Sequence, residues 1–322
     1  MDSILLHYIK LFKSLRRDYS FGGAPHKPIL LLSIIQQIQK GIIYSNRIAI
    51  TPELVLEFKS IWQKLVETPH IENFSLPFFH MKSESFWRLV SKPSIEITKT
   101  SSGSVKSLHS LRSSIEFAEI DKELFDLLKD ASSRKILEEE LLITYFRNTM
   151  NSYHSIGYDI SGPIEKQILT EESFEYSSKI KQLKESLSKD HFEEEIFIRG
   201  GVFKKEIPRI YKYQCAVSGM RIETSINAQL VDACHIVPFA ISNDDTISNG
   251  ISLSPNIHRA FDRGLLTFND KFQVRISPVI KENNSPFSLK QFEGQSIILP
   301  DNPNFYPSLE KIAWHRKEVF VM

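Results

Sequence analysis

Apolar residues near the start of the chain recur at three- and four-residue spacing. Ile4, Leu5, Tyr8, Ile9, Phe12 and Leu15 fall on one face, which predicts an amphipathic helix. The stretch APHKPILLLSIIQQIQKG is patterned differently: Ile29 to Leu32 is apolar on every side, so its helix belongs at the centre of a domain. Pro28 stands in the first turn of that helix, where a missing N–H costs nothing, and Gly41 where it should stop. NRIAITPELVLEFKSIWQKLVET then predicts a short strand and a helix capped by Thr51, with Pro52 at its first position. NFSLPFFHMKSESFWRLVSKPSIEITK is dense in aromatic and β-forming residues and is interrupted by KSES, which predicts two strands joined by a turn. SIEFAEIDKELFDLLKDASSRKILEEELLITYF reads as a helical pair broken near DASS, where Asp130 or Ser132 caps the second helix.

Patterning weakens from about Arg147 to Gly201, where Ser, Tyr and mixed charge prevail, as in EYSSKIKQLKESLSKDHFEEE. That composition suits a linker, partly helical. Beyond it, AQLVDACHI and LLTFNDKFQVRI alternate as strands do, on either side of a short helix at Pro255 to Asp262. The expected organisation is a domain over 1–150, a linker over 151–200 and a second domain over 201–322, of class α+β. The first domain should be mostly helical with a small β element.

Composition sharpens this only at the edges. At 322 residues the chain can bury two ordinary cores, and 41% hydrophobic with 25% charged residues is a globular profile. The net charge of +1 names no partner, so any nucleic-acid surface must come from local clustering of Lys and Arg. Cys215 and Cys234 are too few for a disulfide framework or a four-thiolate zinc site. The N-terminus lacks the order of a secretion signal and no apolar run reaches membrane-spanning length, so a cytoplasmic, reducing setting with no membrane contact is expected.

The chemistry concentrates in VDACHIVPFAISNDDTISNGISLSPNIHRAFDRG, Val231 to Gly264. His258 and Asp262 lie four apart on the predicted helix, so an imidazole and a carboxylate share one face and can converge on one cation. A mixed nitrogen and oxygen pair suits Mg²⁺, Mn²⁺, Ni²⁺ or Zn²⁺. His235, delivered by a strand, adds a side chain suited to general-base work. A metal beside such a base is the equipment for phosphodiester hydrolysis. Arg209, Lys212 and Arg263 suit phosphate contacts, and a solvated face accounts for each equally well.

CAVSG at Cys215 to Gly219, DACHIVP at Asp232 to Pro238 and SNGISLSPNIHRAFDRGLL at Ser248 to Leu266 closely resemble the HNH endonuclease family, in the branch found in modification-dependent restriction enzymes. The resemblance spans about Phe203 to Val274 and implies a ββα-metal fold. It makes His235 the general base, Asn249 the residue that holds the loop and orients that base, and His258 a metal ligand. Asp262 would be the second ligand. Where many of these enzymes place an Asp or His ligand before the base, this chain has Cys234, and Asp232 becomes the candidate for the missing carboxylate. The implied cofactor is Mg²⁺ or Mn²⁺, with Ni²⁺ and Zn²⁺ as alternatives.

APHKPILLL, PFFHMKSESFWRLV and the pair ending EEELLITYF are similar to the sulfur-binding domain of restriction endonucleases that recognise phosphorothioated DNA. In that family an apolar pocket receives the sulfur and basic side chains flank it. By position, His26 and Lys27 would lie at the phosphate while Leu76, Pro77 and His80 form the wall. Lys27 stands where relatives can carry Arg, and Leu76 where an aromatic commonly precedes the proline, so a modified base, or DNA of either kind, is the alternative target. Together these resemblances imply a metal-dependent DNA endonuclease of the restriction and antiphage type, acting on double-stranded DNA, and cutting both strands with one site per chain adds the expectation of a homodimer. The competing expectation is a DNA-binding regulatory or assembly subunit whose HNH fold is inactive or gated by a partner.

Overall fold

The computed structural model describes residues 3–93, 105, 107–153, 161–222, 230–283 and 285–322. Two compact units form: residues 1–160 with 188–198, and residues 161–187 with 199–322. Both mix helices with small antiparallel sheets, so the chain is α+β. None of the helices among the described residues is long and apolar enough to cross a membrane.

In the first unit, helix α1 (Ser3–Lys13) precedes α2 (His26–Gln39). Residues Lys27 to Ile35 are all buried, as an all-round apolar helix requires, and α2 packs against the helices that follow it. Gly41 follows α2 with φ of 72°, a left-handed conformation that Gly adopts without strain. Strand β1 (Arg47–Ala49) leads to α3 (Pro52–Leu65), where the Thr51 hydroxyl accepts from Leu54 N at 3.2 Å. The capping predicted there is observed.

Two expectations fail nearby. NFSLPFFHM is not a strand but helix α4 (Ser75–His80), started by Asn73 Oδ1 accepting from Leu76 N at 2.9 Å. Phe74 and Phe78, four apart, bury together, and tertiary packing of those rings overrides their β propensity. The second expected strand is present as β2 (Trp87–Ser91), while residues 94–99 of that stretch lie outside the described residues. After α5 (Leu108–Ser114), the piece IEFAEI forms strand β3 (Ile115–Ile120), not the start of a helix. It sits between β1 and β2, pairing Ile48 with Ala118 and Leu89 with Ala118, so its ladder partners on both sides decide its conformation. Helices α6 (Lys122–Lys129) and α7 (Ala131–Tyr145) follow, with Asp130 capping α7 through Ser133 N at 2.8 Å, and α8 (Met150–Tyr153) ends the run.

The segment expected as a linker, 151–200, is largely helical: α9 (Ser161–Thr170), α10 (Ser173–Ser186) and α11 (Lys189–Ile210). Its residues are shared between the units, α11 contributing to both. Sparse apolar positions such as Tyr176, Ile180 and Ile198 are buried, which weak overall patterning concealed.

The second unit continues with β4 (Asp232–His235), α12 (Phe239–Ser242), β5 (Gly250–Leu253), α13 (Pro255–Asp262), β6 (Leu266–Phe268), β7 (Val274–Ile276) and α14 (Leu309–Glu318). β4 and β5 pair antiparallel, with Cys234 opposite Ile251 and His235 opposite Gly250. α13 lies against β4 and β6, giving the expected two strands and a helix. Of AQLVDACHI, the residues before Leu230 lie outside the described residues.

Candidate functional site

Strand β4 delivers alternate side chains to different neighbours. His235 projects into a cavity of about 370 Å³ whose lining includes Lys204, His258, Phe261, Asp262 and His315. Its ring is stacked on Phe203 of α11, centroids 4.0 Å apart and planes 9° from parallel. Its Nε2 lies 2.8 Å from Oδ1 of Asp245, a carboxylate 1% exposed. An ionised carboxylate only accepts, so Nε2 carries the proton and the lone pair resides on Nδ1. Asp245 therefore fixes the tautomer and compensates the imidazolium that forms when Nδ1 takes a proton. The sequence reading missed it, although NDD ahead of the Asn was a visible signal.

Asn249 is fully buried, and its amide is spent on the loop. Oδ1 accepts from Val237 N at 2.9 Å, while Nδ2 donates to the carbonyls of Val237 and Asp244, both at 2.9 Å. It clamps the chain that carries Asp245 to the end of β4, which makes it a positioning residue. Asp244 is also buried, in an ion pair with Lys311 at 2.5 Å. Burial lowers the Lys311 pKa and the nearby carboxylate opposes that shift.

His258 sits between two carboxylates. Its Nδ1 is 3.2 Å from Asp232 Oδ2, and its Nε2 is 3.5 Å from Asp262 Oδ2 on the same face of α13. With Nδ1–H donating to Asp232, the Nε2 lone pair and the Asp262 carboxylate are two acceptors that could share one cation. Cys234, His258 and Asp262 each offer a ligand atom, all within 4.8 Å of one another. The donor set fits a divalent ion. Asp232 is outside that cluster and orients the imidazole from behind. Cys234 is fully buried; burial, and then the Asp262 carboxylate, push its thiol pKa well up.

Two of the three expected phosphate contacts are engaged within the chain, and Arg263 is exposed. Arg209 pairs with Glu206 and Glu165, and Lys212 with Asp301 at 2.7 Å. Lys204, exposed on α11 and lining the cavity beside His235, is better placed.

A second cavity, about 550 Å³, lies wholly within the first unit, and His26, Lys27, Leu76, Pro77 and His80 all line it. Two sequence segments thus meet around it, with Ala24, Leu76 and Pro77 supplying apolar wall. Lys27 differs from expectation. It is 7% exposed and ion-paired with Glu84, with Ser83 Oγ 2.7 Å away, so its charge is largely compensated from behind. The cationic side chains that the sequence reading missed are Arg16, Arg17 and Lys82. The Arg-Arg pair ahead of the Gly-rich turn was the available signal. Arg17 lies over the Tyr145 ring at 4.3 Å and donates to the Ala24 carbonyl at 3.1 Å, which holds the guanidinium in place. Burial lowers the pKa of both His26 and His80, so each tends toward the neutral imidazole. His26 Nε2 is 2.9 Å from the Ile71 carbonyl.

Residues 215–269 match the HNH endonuclease family, a stretch that takes in β4, β5, α13 and β6. The second unit thus carries a stretch that matches an HNH endonuclease domain. Among solved structures, the chain is similar to the modification-dependent TagI restriction endonuclease at 25% identity and a TM-score of 0.27, over 36% of this chain and 37% of that one. It therefore spans well under half the length of TagI. It is also similar to the sulfur-binding domain of ScoMcrA complexed with phosphorothioated DNA, at 19% identity and a TM-score of 0.36, over 45% of this chain and 94% of that one. A third is the Type IV phosphorothioation-dependent restriction endonuclease ScoMcrA, at 10% identity and a TM-score of 0.34, over 79% and 81%. No curated protein matches the chain.

Proposed function

We propose that the chain is a metal-dependent DNA endonuclease of the restriction type, in which the first unit selects phosphorothioated DNA and the second hydrolyses it. The observation that carries the nuclease reading is the meeting of His235, backed by Asp245, with His258 and Asp262 around one cavity. His235 Nδ1 takes a proton from the attacking water while Nε2–H stays on Asp245. Phe203 stacking and the Asn249 clamp keep the ring aimed. Lys204 attracts the scissile phosphate. His258 and Asp262 would hold a divalent ion, which when bound would supply Lewis-acid stabilisation of the charge that develops on the phosphate and leaving oxygen.

Target choice rests on the chemistry of the other cavity. Sulfur is larger, softer and less strongly hydrated than the oxygen it replaces, so an apolar wall of Leu76 and Pro77 favours it. Arg16, Arg17 and Lys82 hold the charge of the phosphate. Cutting both strands with one site per chain calls for two copies, which makes the working form a homodimer. A cytoplasmic setting accords with such a substrate.

Otherwise identical duplexes, plain or phosphorothioated, incubated with Mn²⁺, Mg²⁺ or EDTA test both halves of the reading. Cutting that needs metal and phosphorothioation is expected, as is a fall of about 10²-fold or more in His235→Ala. Equal cutting of both duplexes would discard sulfur recognition alone. Metal-independent binding without cutting would favour the inactive, regulatory reading.

A further inference from the structure

We propose that the Cys234 sulfur is a third ligand of the cation held by His258 and Asp262, and that it tunes the site toward Zn²⁺ and Co²⁺ over Mg²⁺. The inference rests on the reading of that cluster as a cation site. Position carries it first. Cys234 lies on the strand face that turns toward α13, and its Sγ is 3.9 Å from Asp262 Oδ1 within a donor cluster no wider than 4.8 Å. A small apolar side chain would fill the same buried space, and here a sulfur faces a carboxylate beside an imidazole.

Charge supports the assignment. A divalent ion bound by one thiolate, one carboxylate and one neutral imidazole is neutral as a unit, which suits a cluster whose sulfur is fully buried. Asp232 on His258 Nδ1 completes the carboxylate–imidazole–metal relay that orients such ligands. In the binding step a metal–sulfur bond forms, the S–H bond breaks and its proton passes to solvent. No electron changes hands. Thiolate is a poor partner for Mg²⁺ and a good one for borderline ions, so the substitution of sulfur for the usual oxygen or nitrogen donor changes which ions load.

Co²⁺ titration of the full chain, stripped of metal and kept reduced, reads this directly through the near-ultraviolet sulfur-to-cobalt charge-transfer band. Wild type and Cys215→Ser should both show the band, with about one proton released per ion, and Cys234→Ser should lose it and bind Zn²⁺ at least about tenfold more weakly. The chain has only these two cysteines, so a band in Cys215→Ser must arise from Cys234 even if Cys234→Ser fails to fold. Visible cobalt bands without the charge-transfer band, and equal affinity in Cys234→Ser, would overturn the sulfur ligand while leaving the site on His258 and Asp262 standing. If Co²⁺ does not bind at all, the cation site itself falls and the inference with it.

Discussion

Asn249 shows what a single amide can hold. Its removal leaves Val237 N, Val237 O and the Asp244 carbonyl without their partner in a place water does not reach. Asn249→Ala should therefore cost about 3 kcal/mol, read by urea denaturation, and should also slow cleavage by loosening Asp245. His315 gives a pH signature. It is 2% exposed, stacked on Phe261 at 3.7 Å, and burial lowers its pKa to about 4. Its Nε2 is 3.1 Å from the Phe261 carbonyl and its Nδ1 2.9 Å from the Thr267 hydroxyl, the pattern of a neutral ring. The unfolded chain takes up this proton below about 6.5 and the folded chain only near 4, so stability falls as pH drops through that window. The loss should reach about 3 kcal/mol by pH 4, and His315→Gln should flatten that part of the stability profile. At this scale the sequence was most informative about His235, His258 and Asp262, whose types and spacing already specify chemistry. Asp245 escaped because a second Asp in a polar loop carries no spacing rule, and Cys234 was noted at a ligand position without being assigned to the cation.

Between elements, the close fit of α11 over β5 is the contact on which the base depends. A Cβ on Gly250 would lie 2.1 Å from Ile207 Cδ1 and 2.9 Å from Phe203 Cε2, so the strand must be bare there. Gly250→Ala should destabilise the second unit by about 2 kcal/mol in urea, and because Phe203 is the platform under His235, cleavage should fall with it. An Asn-Gly dipeptide such as Asn249-Gly250 is by itself a turn signal. The actual requirement comes from a helix more than forty residues away in the chain, and no local pattern encodes that. The same limitation explains α4 and β3. Phe74 and Phe78 are rich in β propensity yet bury as a helical pair, and Ile115 to Ile120 is held extended by strands on both sides.

Taken whole, the molecule separates two chemistries into two units, so perturbing one should leave the other measurable. Arg17→Ala and Lys82→Ala are expected to weaken duplex binding and reduce its salt dependence, each by roughly one phosphate contact, with Co²⁺ binding in the second unit unchanged. A fall in both readouts together would refute that separation. The sequence by itself determined the α+β class, the buried central helix, the capping of α3 and α7, and the His–Asp pair on α13. Those follow from periodicity and from side-chain chemistry acting within a turn or two of the chain. Only the tertiary structure decided that Lys27 spends its charge on Glu84, that Arg16, Arg17 and Lys82 surround the cavity instead, that Asp232 backs His258, and that a cysteine completes the donor cluster. Each of these depends on which distant groups share a low-dielectric space, and the free energy of a charge or a lone pair there is set by its neighbours in three dimensions.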